Sequence, residues 1–243
     1  LARARRRVGP AAPIAREGAW RAYDVAVPFD GPRPHRAEQG LHMLRTLGIT
    51  TAAPAVPRLG LPEAPAGCWA ARSTDRPRIA LHPGTSAFAA FKRWPIDRFH
   101  QLARRLLGTA DLAVSYGPGE DELIAGFDSQ VRRIEGKALG LLGLGSAYRD
   151  ADLVIAADTG PLHLAAVAGT PVVALFGPKE PGFYGPRAAA LPAGVEHRIL
   201  FHDVPCRPCR RRRCASPQCM LGLSVDTVHA AVRSILQPSF DLR

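Results

Sequence analysis

From Arg76 onward, short apolar segments alternate with segments of helical periodicity, and this alternation restricts the fold more than any other feature of the chain. The apolar segments are RIALHPG, DLAVSYG, VRRIEG, ADLVIAAD and PVVALFG. The segments of helical periodicity between them are PIDRFHQLARRLLG, GEDELIAGFD, the stretch up to Tyr148 and GPLHLAAVAG. A further helical segment, SVDTVHAAVRSILQ, starts with Ser224 as a predicted N-cap. Strands and helices at this spacing form a parallel sheet with helices on both faces. The sequence therefore predicts an α/β fold.

The first 75 residues lack this regularity. The stretch from His35 to Ile49 has leucines at helical spacing and is followed closely by Pro- and Gly-rich chain, so we predict a helix that ends at Gly48. The segment TTAAPAVPRLGLPEAPAG has the composition of a linker. We therefore expect one domain over residues 76–243, preceded by a separate part over residues 1–75.

Charge and hydropathy limit the possible partners and the compartment. Lys and Arg number 32 and Asp and Glu 21, which gives a formal net charge of +11. An arginine-rich surface favours phosphates, anionic lipid headgroups or nucleic acid, although a general arginine bias explains the composition equally well. The sequence contains no membrane-length apolar segment and no apolar signal-peptide core near its first residue, so we expect a cytoplasmic protein.

The triplet Asp158-Thr159-Gly160 joins an apolar strand to a helical segment. The same triplet occurs in aspartic proteases, but those enzymes are all-β and use two carboxylates that share a proton. The alternative is a ligand-binding turn, in which the glycine admits a ligand close to the backbone and the first helical amides attract an anion. From this turn alone, Asp158 is as well explained as a helix cap, and His163 as a core histidine.

The other strand ends carry similar turns. HPGTSAFAAFKRWP contains two hydroxyls, Thr85 and Ser86, and Lys92 before a helix, which suits a diphosphate. YGPGEDE places Glu120 where acids hold ribose in nucleotide sites, but this turn alone is better explained by an acid at a helix start. FGPKEP adds Lys179. Because the carboxyl ends of parallel strands share one edge, these turns together predict a nucleotide-diphosphate cleft.

Four cysteines lie close together near the end of the chain. Their spacing is C-x₂-C-x₄-C-x₄-C, with the run Arg210–Arg213 inside it. Reduced structural thiols explain these cysteines best. A zinc site with four thiolate ligands is the alternative, although zinc ribbons have a longer loop between their two pairs. A cytoplasmic location disfavours disulfides. The four residues are Cys206, Cys209, Cys214 and Cys219.

Taken together, these segments resemble the bacterial lipopolysaccharide heptosyltransferases, a glycosyltransferase family of GT-B architecture. The resemblance rests on HPGTSAFAAFKRWPIDRF, YGPGEDE and DLVIAADTGPLHLAAVAGTPVVALFGPKEP in this order, and on the cysteine-bearing segment PCRPCRRRRCASPQCMLGLSVDTV. It covers residues 76–237. It implies a Rossmann-like C-terminal domain that binds a nucleotide sugar, and a first domain that binds the acceptor.

The resemblance also implies an activity and a set of binding residues. The family transfers heptose, usually from ADP-heptose, to the inner core of lipopolysaccharide, with inversion by direct displacement and without a required cofactor. The expected partners are the donor, the lipopolysaccharide core acceptor and the surface of the inner membrane. The residues that the resemblance assigns to the donor are Thr85, Ser86 and Lys92 at the phosphates, Glu120 at the nucleoside, and Asp158, Thr159, Gly160 and His163 at the sugar and phosphate.

One part of the family pattern is not matched. The family begins with a strand and a Gly-Asp turn, and its presumed general base is an aspartate of the first domain, for which residues 1–75 offer no counterpart. We therefore expect an incomplete first domain, an unassigned catalytic base and impaired turnover. The alternatives are a nucleotide-sugar-binding domain without catalysis, and a basic nucleic-acid-binding protein. The chain has no helix-turn-helix or zinc-finger signature to support nucleic-acid binding.

Overall fold

The computed structural model describes residues 5–12, 14, 18–29, 34–50, 59–187, 191, 194–209, 211, 213–237 and 240. The chain divides into two compact units, Leu1–Ala55 with Gly182–Tyr184, and Val56–Pro181 with Gly185–Arg243. The second unit begins before residue 76 because the segment that precedes its first strand is bound to it. Within this segment, the Trp69 indole donates to the Ala147 carbonyl at 2.8 Å, and Arg72 forms an ion pair with Asp152.

Within its described residues, the first unit contains two short parallel strands, a 3₁₀ helix (Ala19–Ala22) and a longer α-helix. Strand β1 (Val8–Pro10) pairs with β2 (Val25–Val27), and helix α1 covers Arg36–Thr46. The helix predicted between His35 and Ile49 is thus confirmed, and Gly48 follows it with φ 75°. Of the predicted linker, residues 51–58 lie outside the described residues.

The second unit is built on six parallel strands. They are β3 (Arg78–His82), β4 (Asp111–Tyr116), β5 (Arg132–Glu135), β6 (Leu153–Ala157), β7 (Val172–Phe176) and β8 (Arg198–Phe201), in the spatial order β5-β4-β3-β6-β7-β8. The helices that follow α1 in the chain are α2 (Ile96–Leu106), α3 (Asp121–Ile124), α4 (Gly136–Arg149), α5 (Gly160–Val167), α6 (Pro181–Tyr184), α7 (Gln218–Leu221) and α8 (Val225–Leu236).

Helices cover both faces of this sheet, as the sequence predicts. Alternate strand residues such as Ile79 and Leu81 belong to the core that α2 and α8 complete, while α4 and α5 pack together on the opposite face. Strands β6 and β7 are buried at every position, because each is covered from both sides. The Ser224 side chain accepts from the Thr227 amide, which confirms the predicted N-cap of α8.

A buried tryptophan joins the loop after β3 to the segment before α8. Trp94 is 1% exposed, and its indole donates to the Leu223 carbonyl at 2.8 Å. Arg98, one turn into α2, donates to the Leu221 carbonyl at 2.6 Å. These bonds fix the start of α2 to the C-terminal part of the chain.

Two elements differ from the sequence prediction. GEDELIAGFD forms only the short helix α3, because the chain turns after Ile124 to bring Phe127 into the core, where its ring contacts His100 with centroids 4.6 Å apart. Strand β8 was not predicted, because it is partly or fully exposed at all four positions and lacks a continuous apolar face.

The strand order determines where a ligand site is expected. From β3 the chain proceeds outward to β4 and β5, then crosses to β6 and proceeds in the other direction to β7 and β8. The connections after β3 and β6 therefore diverge, and a crevice forms beyond their carboxyl ends; ligands bind at this position in doubly wound sheets. Among the described helices, none has the length and apolarity required to cross a membrane.

Candidate functional site

A cleft of about 580 Å³ lies at the carboxyl ends of β3, β4 and β6. Three loops line it, namely residues 82–93 after β3, residues 117–120 after β4, and residues 158–163 at the start of α5. All eight predicted donor-binding residues line this one cleft: Thr85, Ser86, Lys92, Glu120, Asp158, Thr159, Gly160 and His163.

Lys92 and Asp158 form an ion pair inside the cleft. The Lys92 ammonium lies 2.6 Å from Asp158 Oδ2 and 3.5 Å from the Asp158 carbonyl oxygen. Their side chains are only 17% and 11% exposed, so solvent screens the pair weakly. An ammonium has three protons, and this geometry leaves one for a ligand oxygen.

The charge of Asp158 is stabilised from two sides. Burial by itself would raise the pKa of Asp158, but its interactions with His163 and Lys92 outweigh burial and lower the pKa below its ordinary value. His163 Nε2 lies 3.7 Å from Asp158 Oδ1. Asp158 therefore remains ionised at neutral pH. Its charged partner is a lysine rather than a second carboxylate, and it lies in an α/β unit, so the aspartic-protease interpretation is wrong.

The start of α5 points into the same cleft. Gly160 and Pro161 form the first turn of this helix, whose leading amides have no partners within the helix. The Thr159 hydroxyl oxygen is buried and has no hydrogen-bond partner among the described residues. A buried hydroxyl without a partner costs free energy unless a ligand or water satisfies it. This turn is therefore suited to a polar, anionic ligand.

Glu120 connects the turns after β3 and β4. It is 9% exposed, and its carboxylate accepts from the Gly117 amide at 2.8 Å. A Cβ on Gly84 would overlap this carboxylate, so only glycine at position 84 allows Glu120 to lie across the turn. The helix that follows Glu120 begins without a side-chain cap from this residue. Its carboxylate thus has a defined position at one end of the cleft.

Arg93 is a cleft residue that the sequence analysis did not identify. Its guanidinium donates to the Thr85 hydroxyl at 3.0 Å and to the Thr85 carbonyl at 2.9 Å. The Thr85 hydroxyl is therefore already bonded, whereas Ser86 is exposed. The signal available in the sequence was the adjacent pair Lys92-Arg93, which places two cations on one loop.

Phe88 also lines the cleft and was not identified. It lies in the 3₁₀ segment Ala87–Lys92 and is 81% exposed, which is unusual for a phenylalanine. The sequence alone does not separate it from the other apolar residues of this loop.

A buried polar network lies beneath the cleft. His82, the last residue of β3, lines the cleft and is 4% exposed. Its Nδ1 lies 3.0 Å from the Ser115 hydroxyl, which lies 2.7 Å from the Tyr148 hydroxyl. Burial lowers the pKa of His82 to about 4. His82 is therefore neutral at physiological pH.

The turn after β7 does not join the cleft, contrary to the sequence interpretation. Its lysine, Lys179, donates to the Cys209 carbonyl at 3.4 Å, and the Cys209 amide donates to the Pro178 carbonyl. A Cβ on Gly177 would overlap Met220, so this turn is packed against the C-terminal segment. Only three of the four glycine-bearing turns therefore form the cleft.

The four clustered cysteines line a second hollow of about 290 Å³. Within the described part of the chain, no group of three or more His, Cys, Asp or Glu side chains is arranged to hold a metal ion, so the structure does not support the zinc site. Burial, followed by the neighbouring thiols Cys206 and Cys214, raises the pKa of Cys219. Thus nearby arginines do not make Cys219 a thiolate; of the predicted run, Arg210 and Arg212 lie outside the described residues.

Comparison with known proteins identifies the relatives of this chain. The pattern of glycosyltransferase family 9 (heptosyltransferase) matches residues 2–220. Lipopolysaccharide heptosyltransferase 2 of Salmonella typhimurium is 31% identical over 130 residues, which cover 47% of this chain and 35% of that protein. Lipooligosaccharide heptosyltransferase 2 of Campylobacter jejuni is 28% identical over 171 residues, which cover 66% of this chain and 51% of that protein. The chain thus spans about a third to a half of these relatives' length.

Solved structures share the fold. A family 9 glycosyltransferase from Veillonella parvula has a TM-score of 0.66 at 23% identity, over 88% of this chain and 64% of that one. The E. coli heptosyltransferase WaaC, solved with ADP, has a TM-score of 0.62 at 19% identity, over 93% of this chain and 65% of that one. At such identities the likeness establishes the α/β, GT-B type of fold. Because the family pattern covers well over half of the sequence, this chain belongs to glycosyltransferase family 9, the heptosyltransferase family.

Proposed function

We propose that the cleft binds a nucleotide sugar, ADP-heptose, and that the protein transfers its heptose to the inner core of lipopolysaccharide. The observation that carries this proposal is the Lys92–Asp158 pair beside the first turn of α5. This arrangement combines a cation, helix-start amides and a hydroxyl acceptor within one crevice, as a sugar diphosphate requires. Family membership supports the same reaction class.

Each end of the cleft suits a different part of the donor. Lys92 and the α5 amides suit the diphosphate, because both are positive and converge on one volume. Ser86 contributes an exposed hydroxyl there, while Thr85 acts through its bond to Arg93. Glu120, the carboxylate held across the Gly84 turn, suits the ribose hydroxyls. Asp158, Thr159, Gly160 and His163 remain for the sugar and the adjoining phosphate.

In the reaction that we propose, an acceptor hydroxyl attacks the anomeric carbon from the face opposite the diphosphate. The new C–O bond forms while the bond to the diphosphate oxygen breaks, and ADP leaves with the bonding electrons. Lys92 and the α5 amides stabilise the negative charge that develops on the leaving group. The proton of the acceptor hydroxyl passes to a base, which we assign to none of the eight residues.

The acceptor and the location belong to the same proposal. We infer that the acceptor is the lipopolysaccharide core, and that the basic protein associates with the anionic surface of the inner membrane from the cytoplasm. The net charge of +11 supports this association. None of the five cysteines is paired with another in the structure, which supports the proposed cytoplasmic location.

Nucleotide binding provides the direct test. Isothermal titration and thermal-shift measurements with ADP, ADP-heptose, GDP-sugars and UDP-sugars should show preferred binding of the ADP compounds. Asp158→Ala should abolish the shift with ADP-heptose while the circular dichroism spectrum is retained, because the change removes the carboxylate that accepts from the sugar hydroxyls. The matched control Asp226→Ala removes an exposed carboxylate that pairs with Arg105 outside the cleft, and should bind normally. An unchanged shift for Asp158→Ala would remove this residue from the site.

Transfer is tested separately from binding. The chain is incubated with ADP-heptose and a heptose-deficient lipopolysaccharide acceptor, and released ADP is measured. Release that depends on the acceptor supports the transferase; binding without release identifies a nucleotide-sugar-binding domain without catalysis.

A further inference from the structure

One wall of the cleft is formed by His82, a residue to which the proposed function assigns no role. It lies at the carboxyl end of β3, the central strand between β4 and β6. Its position is thus between the Glu120 turn on one side and the Asp158 turn on the other. It is 4% exposed, yet it borders the cleft. A buried polar ring at this position needs a hydrogen-bond partner for each nitrogen.

The network beneath the cleft favours a proton on Nδ1 of the His82 ring, because this arrangement satisfies all three contacts of the Ser115 hydroxyl. The Tyr148 hydroxyl is fully buried, and its hydrogen bond within the described residues is to Ser115, so Tyr148 donates to the Ser115 oxygen. The Ser115 hydroxyl then donates to the Leu81 carbonyl at 3.3 Å. The remaining lone pair of this oxygen accepts from Nδ1–H of His82, at 3.0 Å. In this arrangement the hydroxyl protons of Tyr148 and Ser115 and the Nδ1 proton of His82 each have one acceptor.

The second ring nitrogen consequently has a lone pair and no protein partner. Once Nδ1 carries the proton of the neutral ring, Nε2 is an acceptor. It has no hydrogen bond with any residue that the structure describes. Since Ser115 holds the Nδ1 edge of the ring, the opposite edge is the one that borders the cleft. Such an acceptor repels an unprotonated phosphate oxygen and accepts from a hydroxyl.

We propose that His82 Nε2 accepts a hydrogen bond from a hydroxyl group of the bound nucleotide sugar, and that Ser115 and Tyr148 act as positioning residues that fix the required tautomer. This inference rests on the proposed donor site and deepens it. His82 thus distinguishes ligands by a hydroxyl at the centre of the cleft, while Lys92 and α5 bind the charge common to all sugar diphosphates. The hydroxyl belongs either to the ribose or to the transferred sugar.

Two substitutions at His82 distinguish the roles of its two ring nitrogens. His82→Asn keeps a donor near the Nδ1 position but places nothing at the Nε2 position. His82→Gln is long enough to present an amide oxygen there. We expect His82→Asn to weaken ligand binding about three- to tenfold, the effect of one lost hydrogen bond, and His82→Gln to recover most of it. His229→Asn, on α8 and outside the cleft lining, is the matched control and should bind as the wild type does.

The ligand series identifies the source of the hydroxyl. Titrations use ADP, 2′-deoxy-ADP, 3′-deoxy-ADP and ADP-heptose. If the ribose supplies the hydroxyl, one of the two deoxy compounds binds the wild type more weakly than ADP does. The same deoxy compound and ADP then bind His82→Asn with equal affinity. If the sugar supplies it, the loss in His82→Asn appears with ADP-heptose alone. Equal affinity of wild type and His82→Asn for all four compounds overturns the inference, whereas failure of the wild type to bind any of them overturns the donor site itself.

The tautomer is measured independently of binding. In the nitrogen-15 spectrum of the histidine rings, the His82 signals are assigned from their loss in His82→Asn. We expect a protonated Nδ1 and an unprotonated Nε2 in the free protein, with the Nε2 signal moving when the ligand is added. Tyr148→Phe removes the donor to Ser115 and should allow the other tautomer to appear, a change that loss of packing alone does not produce. A protonated Nε2 in the wild type contradicts the proposal.

Discussion

For Lys92 and Asp158, the sequence predicts the positions in the fold but not the contact between the two side chains. Both were predicted to lie at strand ends of one sheet edge, because parallel strands have their carboxyl ends together. Their direct ion pair was not predicted, since it depends on where the 3₁₀ segment before Lys92 turns. The role of Arg93 at Thr85 was not predicted for the same reason. The sequence was sufficient to predict which polar residues lie at the strand ends. It was not sufficient to predict which side chains of different loops contact each other.

The ion pair should contribute to stability as a unit. Lys92→Met leaves a mostly buried carboxylate without its ammonium, and Asp158→Asn leaves the ammonium without its carboxylate. We expect each single change to lower the free energy of unfolding by about 1–3 kcal/mol. The double variant should lose less than the sum, with a coupling of about 1–2 kcal/mol. Urea unfolding of the four proteins measures this cycle, and strictly additive losses would show that the pair has no net coupling.

The buried state of His82 predicts a pH dependence of stability. Its pKa is about 4 in the folded protein, and about 6.5 is ordinary for an exposed imidazole. Between these values only the unfolded chain takes up the proton, so the folded state loses stability as the pH falls, by about 1.4 kcal/mol per pH unit from this group. Unfolding in urea from pH 7 to 4.5 should show a shallower loss for His82→Asn than for the wild type. Parallel curves would mean that His82 titrates normally.

Among the elements, those defined by their own periodicity were predicted well. Helix α2 and strands β6 and β7 appear within a few positions of the predicted segments, because one has a pronounced apolar stripe and the others are apolar throughout. Helix α3 was predicted too long, since the burial of Phe127 depends on a contact with α2. The close approach of Glu120 to Gly84 was also not predictable, because it joins two turns from different β–α units.

The turn after β3 should be intolerant of a side chain at position 84. Gly84→Ala introduces a methyl group that overlaps the Glu120 carboxylate, so either the turn or Glu120 must move. We expect a loss of about 1–3 kcal/mol in unfolding free energy and weaker ADP binding. Gly108→Ala is the control, because a Cβ there meets no atom within 4 Å, and its stability should change by at most about 0.5 kcal/mol. Urea unfolding and ADP titration compare the two. Equal tolerance at both glycines would contradict the described packing.

At the scale of the whole molecule, the alternation of elements determined the architecture of the second unit. The strand order β5-β4-β3-β6-β7-β8 contains a single reversal. This order was not predicted; the alternation predicted a parallel sheet whose strand-end turns share one edge. The residue at which this unit begins was harder to predict from the sequence. Residues 59–75 contain no helix or strand and are bound to the unit by individual contacts such as that of Trp69.

The overall charge predicts weak, salt-sensitive association with anionic lipid surfaces. With a formal charge of +11, the protein should sediment with phosphatidylcholine vesicles that contain phosphatidylglycerol, and not with phosphatidylcholine alone. The association should disappear at high salt, because screening removes the attraction. Duplex DNA at physiological salt serves as the comparison for a nucleic-acid-binding protein. Tighter binding to DNA than to the anionic vesicles would favour that alternative.

The Trp94–Leu223 hydrogen bond links the loop that carries Lys92 to the residues just before α8. Any opening that detaches the last helix also releases the anchor of this loop, so the cleft is intact only while the carboxy-terminal segment is docked. Occupation of the cleft should therefore slow amide exchange in α8, which contributes no residue to the cleft lining. A chain shortened before that helix should lose ligand affinity, although every lining residue would still be present.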